Sequence, residues 1–359
     1  VTDLKSRQFD RILLVKPSSL GDIVHTLPVL HGLRARYPKA KLDWLVAPPF
    51  APLLEGHDEL DELIPFERGR FARLGRSHKI TGEFATFVRN LRQRRYDLVL
   101  DLQGLFRSGW ITWATGAPAR VGFREAREGA WVFYTHRVGA GDPDQHAVDR
   151  NYRVARMLGF EDVPVTFRLP VIDSAAAAVR TLLGEGGIGA DHRIVVVAPG
   201  ARGETKVWLS ERFAETIDRI QEEATARCVL VGSPEEHPLC GRIADACGSG
   251  PANLAGRTSL PELVATIARA DVVLCHDSAT VHLAAALQKR LVCLVGPTNP
   301  RRTGPYRRMG DVLQAGVPCA PCYLRRLAQC AYGHRCMHEL DVDRVVAAVE
   351  RALTGHPAS

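Results

Sequence analysis

The run Lys16-Pro17-Ser18-Ser19-Leu20-Gly21-Asp22 sets two hydroxyls and a carboxylate directly after the apolar stretch Ile12–Val15. An ordinary aspartate, with a pKa of ~3.9, is ionised at neutral pH. It can take a proton from a hydroxyl whose acidity rises during attack, a transfer that typically contributes ~10²–10⁴-fold. The same spacing, Ser19-x-x-Asp22, also spells a helix capping box with Asp in place of Glu, so a structural role accounts for it equally. A second group of reactive residues follows later apolar runs: Gly200-Ala201-Arg202-Gly203-Glu204-Thr205-Lys206, Gly232-Ser233-Pro234-Glu235-Glu236, His276-Asp277-Ser278-Ala279-Thr280 and Gly296-Pro297-Thr298. Glycine lets backbone approach a ligand, N–H groups at a helix start point at an anion, and Lys206 adds charge, so together these loops suit a phosphate. Turn chemistry explains each loop taken singly. Asp277 and Ser278 also read as a helix N-cap, with His282 an ordinary helix histidine one turn on.

The elements that must carry these loops alternate between short β-branched runs and longer amphipathic ones, the pattern of parallel sheets covered by helices. In the first half the spacing predicts strands over Arg11–Lys16, Lys41–Val46, Leu98–Leu102 and Arg120–Gly122. Helices are expected over Ile23–Tyr37, Ile80–Arg94, Phe106–Thr115 and Gln145–Leu158. Pro164–Pro170, an alanine-rich helix around Ser174–Leu183 and Gly184-Glu185-Gly186-Gly187 read as a connection. Strands then restart at Ile194–Ala198, Cys228–Val231, Ala252–Leu254, Asp271–Cys275 and Leu291–Val295. The expected architecture is α/β, with two Rossmann-like doubly wound domains facing a central cleft. They span residues 1–172 and 173–359, with a C-terminal helix that could pack back on the first. Ligands of open parallel sheets bind beyond the carboxyl ends of the strands, where both groups of residues fall. A nucleotide-linked donor in the second half would give Asp22, across the cleft, the place of a general base.

A chain of 359 residues, 46% hydrophobic and 24% charged, has the composition of an ordinary globular protein of two domains. Val1–Asp10 is polar and no run approaches the ~18–20 apolar residues of a membrane span, so a cytoplasmic protein without a transmembrane segment is expected. The first turn lacks G-x-G-x-x-G, which disfavours an NAD-dependent oxidoreductase. A net charge of +7 favours an anionic partner. Basic residues concentrate between Arg68 and Arg95, where a solvated surface is the competing explanation. No nucleic-acid-binding motif surrounds them, so nucleic acid is not an expected partner. All nine cysteines lie in the second half, and without an export signal a disulfide framework is not expected. Cys319-x2-Cys322-x7-Cys330-x5-Cys336 carries enough thiols for a closed, structural zinc or iron site, with His334 or His338 as substitute ligands; reduced, unligated thiols are the alternative.

Taken together, K-P-S-S-L-G-D-I-V-H-T-L-P (16–28), L-D-W-L-V (42–46), D-L-Q-G-L-F-R-S (101–108), Q-H-A-V-D-R (145–150), K-V-W (206–208), H-D-S-A-T-V-H-L (276–283) and G-P-T (296–298) resemble one family. It is the ADP-heptose:lipopolysaccharide heptosyltransferases, inverting glycosyltransferases of family 9 with the GT-B fold. The resemblance spans roughly residues 11–310 and leans toward heptosyltransferase I; heptosyltransferase II and the autotransporter protein heptosyltransferases are the near alternatives, the last because of the cysteine segment. A non-catalytic sugar-nucleotide-binding protein is the rival of another class, and would have little use for Asp22.

The resemblance implies a reaction and its residues. L-glycero-D-manno-heptose would pass from ADP-heptose to Kdo of the Kdo–lipid A acceptor at the inner-membrane surface, with no cofactor required and peripheral contact with that membrane. Asp22 would be the catalytic base, with Ser19 and Gly21 shaping its loop around the acceptor. Gly200, Ala201 and Lys206 would contact the donor, Glu236 the ribose and the backbone at Thr258 the adenine. Asp277 would hold heptose hydroxyls, Ser278 and Ala279 would present N–H groups to the pyrophosphate, and His282 would flank it. Ser278-Ala279 stand where many relatives have Thr-Gly. Arg68, Arg70, Arg73, Arg76 and Lys79 would receive the acceptor's anionic groups, aided by Gln103 and Arg107.

Overall fold

Continuous apolar runs such as RILLV and RIVVVA become strands buried on both faces, as parallel strands sandwiched between helices must be. The computed structural model describes residues 3–71 and 77–355, and the chain divides into two units, Val1–Pro170 and Val171–Ser359. The boundary lies two residues before the expected one.

In the first unit β1 (Arg11–Val15), β2 (Lys41–Val46), β3 (Glu62–Pro65), β4 (Leu98–Asp101), β5 (Ala119–Phe123) and β6 (His136–Val138) form a parallel sheet ordered β3-β2-β1-β4-β5-β6. In the second, β7 (Arg193–Ala198), β8 (Ala226–Leu230), β9 (Ala252–Asn253), β10 (Val272–His276), β11 (Arg290–Leu294) and β12 (Val312–Leu313) are ordered β12-β11-β10-β7-β8-β9. Each is the doubly wound 3-2-1-4-5-6 order, whose strand sequence reverses between β1 and β4 and between β7 and β10. Register matters here. Val15 lies beside Asp101, so the loops after β1 and β4 leave the sheet together. Ala198 lies beside Cys275, which does the same for the loops after β7 and β10.

The structure adds β3, β6 and β12, which are short strands at or near sheet edges and partly exposed. The helix expected over Ile23–Tyr37 is two, Leu20–Val24 and Leu27–Arg36, with Pro28 in the first turn of the second, where its missing N–H costs nothing. The C-terminal helix Val342–Thr354 buries Val345, Val346, Val349 and Leu353 in the core of the second unit, against β10, β11 and the helix Ser210–Glu223. Its apolar stripe is thus buried within that unit.

Candidate active site

In the first unit Ser19 caps the helix Leu20–Val24 and Asp22 sits in that helix's first turn. Both donors of Ser19 reach one carboxylate oxygen of Asp22: the backbone N–H at 3.0 Å and the hydroxyl at 2.7 Å, each to Oδ2. The other oxygen, Oδ1, lies 3.5 Å from the Lys16 ammonium. The cap and the lysine therefore engage different oxygens of one side chain. The Lys16 side chain is only 7% exposed whereas that of Asp22 is 44% exposed, so solvent reaches the acid and scarcely the amine. Lys16 also donates to the Leu102 carbonyl at 2.9 Å, tying the loop after β1 to the loop after β4. Burial pulls the Lys16 pKa down, opposed chiefly by the charge of Asp22. Arg150, from the Q-H-A-V-D-R stretch, is near enough for its charge to act on both.

Asp101, at the end of β4, is wholly buried and works on the backbone. Its Oδ1 accepts the N–H groups of Gln103 and Gly104 at 2.9 and 3.0 Å, and its Oδ2 accepts the Tyr134 hydroxyl at 2.7 Å. Burial nevertheless pushes its pKa up. This knot holds Gln103 at the wall of a cavity of about 250 Å³ lined also by Ser18, Phe66, Phe106, Arg107 and Glu128. Gly21 is buried inside the short helix. Of the basic segment, Arg70 is exposed and pairs with Glu83 at 2.7 Å, and Lys79 is exposed in the first turn of the helix His78–Gln93. Arg73 and Arg76 lie outside the described residues, as does the side chain of Arg68.

In the second unit the loops after β7 and β10 meet through Lys206, which donates to Asp277 Oδ2 at 2.9 Å and to the Asp277 carbonyl at 3.0 Å. Thr298 and Thr303 donate to the same oxygen at 2.6 and 3.3 Å, and Asp277 is almost fully buried. Three donors on Oδ2 fix the carboxylate plane. Ser278 caps the helix Ala279–Ala286, whose buried residues include His282. Glu236 Oε2 accepts the Ser233 N–H at 2.8 Å, and its carboxylate lies so close to Gly200 that a Cβ there would fall 2.0 Å from Oε1. Glu236, rather than the exposed Glu235, therefore belongs to the loop cluster. The Gly256 N–H bonds to the Gly232 carbonyl at 3.0 Å, drawing the turn before Thr258 to the same edge. His276 accepts the Trp208 N–H on Nε2 at 3.0 Å, and burial holds its pKa down to about 4, so the ring is neutral. Lys16, Thr298 and Thr303 join the site only through folding; a lysine closing an apolar strand is the sequence signal for the first.

The cysteine segment docks beneath Lys206. The Glu204 N–H bonds to the Arg325 carbonyl at 3.0 Å, the Leu327 N–H to Glu204 Oε2 at 3.0 Å, and His334 Nε2 meets the Thr205 carbonyl at 2.8 Å. His334 is thus a strut, not a spare ligand. Burial, and then the neighbouring thiols at 322, 319 and 330, push Cys336 up to about 11. The expected four-thiolate site is not assembled: among the described residues no three His, Cys, Asp or Glu side chains converge as metal ligands. Cys336 turns into the core toward Gly296 and Met337 while Cys322 is exposed. Of the remaining cysteines, Cys228, Cys240, Cys275 and Cys293 are buried in the core and Cys247 is partly buried.

Comparison with known proteins gives the context for this geometry. The profile of glycosyltransferase family 9 (heptosyltransferase) matches residues 84–331. The lipopolysaccharide heptosyltransferase 1 of Pseudomonas aeruginosa is 32% identical over 87% of this chain and 86% of its own length. Among solved structures, E. coli ADP-heptose lps heptosyltransferase II is 25% identical with a TM-score of 0.77, covering 96% of this chain and 99% of that one. E. coli heptosyltransferase WaaC, solved with ADP, is 26% identical with a TM-score of 0.74, covering 95% and 99%.

Proposed function

Because the chain belongs to glycosyltransferase family 9, the heptosyltransferases, we propose that it transfers L-glycero-D-manno-heptose from ADP-heptose, with inversion, onto Kdo of the lipopolysaccharide inner core. The observation that supports this reading is the two-sided engagement of the partly exposed Asp22, with Oδ2 held by Ser19 and Oδ1 beside the Lys16 ammonium. As the acceptor oxygen attacks the anomeric carbon, its proton passes to Asp22. The bond from that carbon to the ADP oxygen breaks, and its electron pair leaves on the diphosphate. Lys206 and the N–H group at Ala279 receive the charge that develops there; the Ser278 N–H, expected to share this role, instead donates to the His276 carbonyl at 2.8 Å. Asp277 orients heptose hydroxyls with the oxygen that its three donors leave available. Gly200 and Ala201 allow the backbone to approach the donor, Glu236 binds the ribose, the backbone at Thr258 binds the adenine, and His282 flanks the pyrophosphate. The acceptor belongs to the first unit, at the cavity containing Gln103 and Arg107 beside Ser19 and Gly21, with Arg70 and Lys79 for its anionic groups.

The test is to incubate the purified chain with ADP-heptose and either Kdo2-lipid A or heptosyl-Kdo2-lipid A, following ADP release and acceptor mass. A heptose-sized gain on the first acceptor alone is expected. A gain only on the second would make the chain a heptosyltransferase II. No gain on either, with ADP-heptose still bound, would point to a protein acceptor or a non-catalytic binder.

A further inference from the structure

Among the described residues of the first unit, every large apolar side chain that remains exposed lies on two touching elements. These are Phe106 and Trp113 on the helix Phe106–Ala114, and Trp131 and Val132 on the 3-10 turn Ala130–Phe133, each 42% to 53% exposed. The helix repeat explains the first pair, since residues seven apart share a face. Gly109 explains the second, because a Cβ there would stand 2.9 Å from the Phe133 ring and 3.0 Å from the Ala130 carbonyl, so only glycine lets the turn lie this close. Phe106 meets Phe133 edge-on at 5.3 Å, and Trp110, beside Trp113, stacks on Phe84 at 5.3 Å. The four exposed side chains thus stand on two packed elements joined by the Phe106–Phe133 contact, not on scattered ones.

Its rim is cationic. Arg107, Arg124, Arg127 and Arg137 are exposed on or beside the two elements, and the Arg137 guanidinium lies 4.9 Å over the Trp131 ring. The two acids of the stretch are already engaged: Glu125 pairs with Arg150 and Arg153, and Glu128 accepts the Phe106 N–H at 3.1 Å. Phe106, Arg107 and Glu128 also line the cavity that holds Ser18 and Gln103, so the face runs to the mouth of the proposed acceptor site. Tryptophan in an arginine rim suits a phospholipid interface, where rings sit among headgroups and guanidinium groups meet phosphates.

We propose that the face built from Phe106, Trp113, Trp131 and Val132 seats this protein on an anionic phospholipid bilayer, beside the opening through which a lipid-linked acceptor enters. This deepens the reading of a membrane-borne acceptor, and vesicles that contain no glycosyl acceptor test it separately. The full chain is mixed with phosphatidylcholine vesicles, with and without phosphatidylglycerol, and floated on a density gradient. The native protein is expected to float with the anionic vesicles and not with the neutral ones. Trp113→Ser with Trp131→Ser, and separately Arg124→Glu with Arg127→Glu, should each lower the floated fraction at least about tenfold, since rings and charges both contribute to interfacial binding. Turnover on detergent-dispersed acceptor should stay unchanged in both, which also reports that they fold. Failure of the native chain to float, or variants that float like it, would overturn the proposal. So would a sedimentation equilibrium in which these residues hold two copies of the chain together. Flotation of the native chain as expected, with no transfer to the detergent-dispersed acceptor, would count against the acceptor assignment and leave this proposal standing.

Discussion

Replacing Asp22 with Asn separates the cap that its carboxylate forms from the base proposed for it. The amide oxygen can still accept the Ser19 N–H and hydroxyl, now at 3.0 and 2.7 Å, so the start of the helix Leu20–Val24 persists. What disappears is the proton acceptor and the negative charge 3.5 Å from the buried Lys16 ammonium. Lys16 keeps the Leu102 carbonyl at 2.9 Å, so it is not wholly orphaned. Stability should therefore fall by about 1–3 kcal/mol, less than the ~3–5 kcal/mol typical when a buried charge loses all compensation. Turnover should fall ~10²–10⁴-fold, about 2.7–5.4 kcal/mol of transition-state stabilisation. Steady-state ADP release on Kdo2-lipid A gives the first quantity and urea unfolding the second, while calorimetry with ADP-heptose should find donor affinity within threefold of native. A variant that turns over within tenfold of the native chain would refute the base assignment and leave Asp22 as a cap. Parallel loss of donor affinity would refute the separation of acceptor and donor functions between the units.

Three further outcomes follow from the geometry. Tyr134→Phe removes the donor 2.7 Å from the buried Asp101 Oδ2 and should cost about 1.5–3 kcal/mol in urea unfolding; an unchanged midpoint would mean that Asp101 is satisfied by its backbone partners alone. Gly200→Ala puts a Cβ 2.0 Å from Glu236 Oε1 and should displace that side chain, raising KM for ADP-heptose about tenfold, as Glu236→Ala should, with kcat little changed; native KM in both would remove Glu236 from the donor site. Burial holds His276 at about 4 against 6.5 for the unfolded chain, so the unfolded state takes up the proton first. The stability given by the neutral ring is full above about 6.5 and is lost as the pH falls toward 4, by about 2 kcal/mol between pH 7.5 and 5. His276→Gln should flatten that part of the urea-midpoint difference, and an undiminished difference would assign it elsewhere.

The strands that carry the chemistry were legible because β1, β2, β4, β5, β7, β10 and β11 are apolar runs bounded by glycine, proline or polar residues, a pattern that needs no partner to be recognised. The edge strands β3, β6 and β12 were not, because their short, partly exposed segments become strands only once a neighbour offers its ladder. Motif spacing placed Asp22, Lys206 and Asp277 after the correct strands. It could not show that Ser19 takes Oδ2 of Asp22 while Oδ1 faces Lys16, since that depends on Lys16 following β1 while held by Leu102 beyond β4. Nor could it show that Lys206 rests on Asp277, with Thr298 and Thr303 completing the set. The cysteine spacing suggested a metal knuckle; folding turned Cys336 to the core, left Cys322 exposed and used the segment to brace the Lys206 loop. The sequence alone determined the α/β class, the loops that carry chemistry and the family resemblance, because these reside in local periodicity and motif. The tertiary structure alone decided which groups hold the two lysines, because Lys16 meets the Leu102 carbonyl 86 positions away and Lys206 meets Asp277 71 positions away, each at 2.9 Å, and only packing brings such residues together.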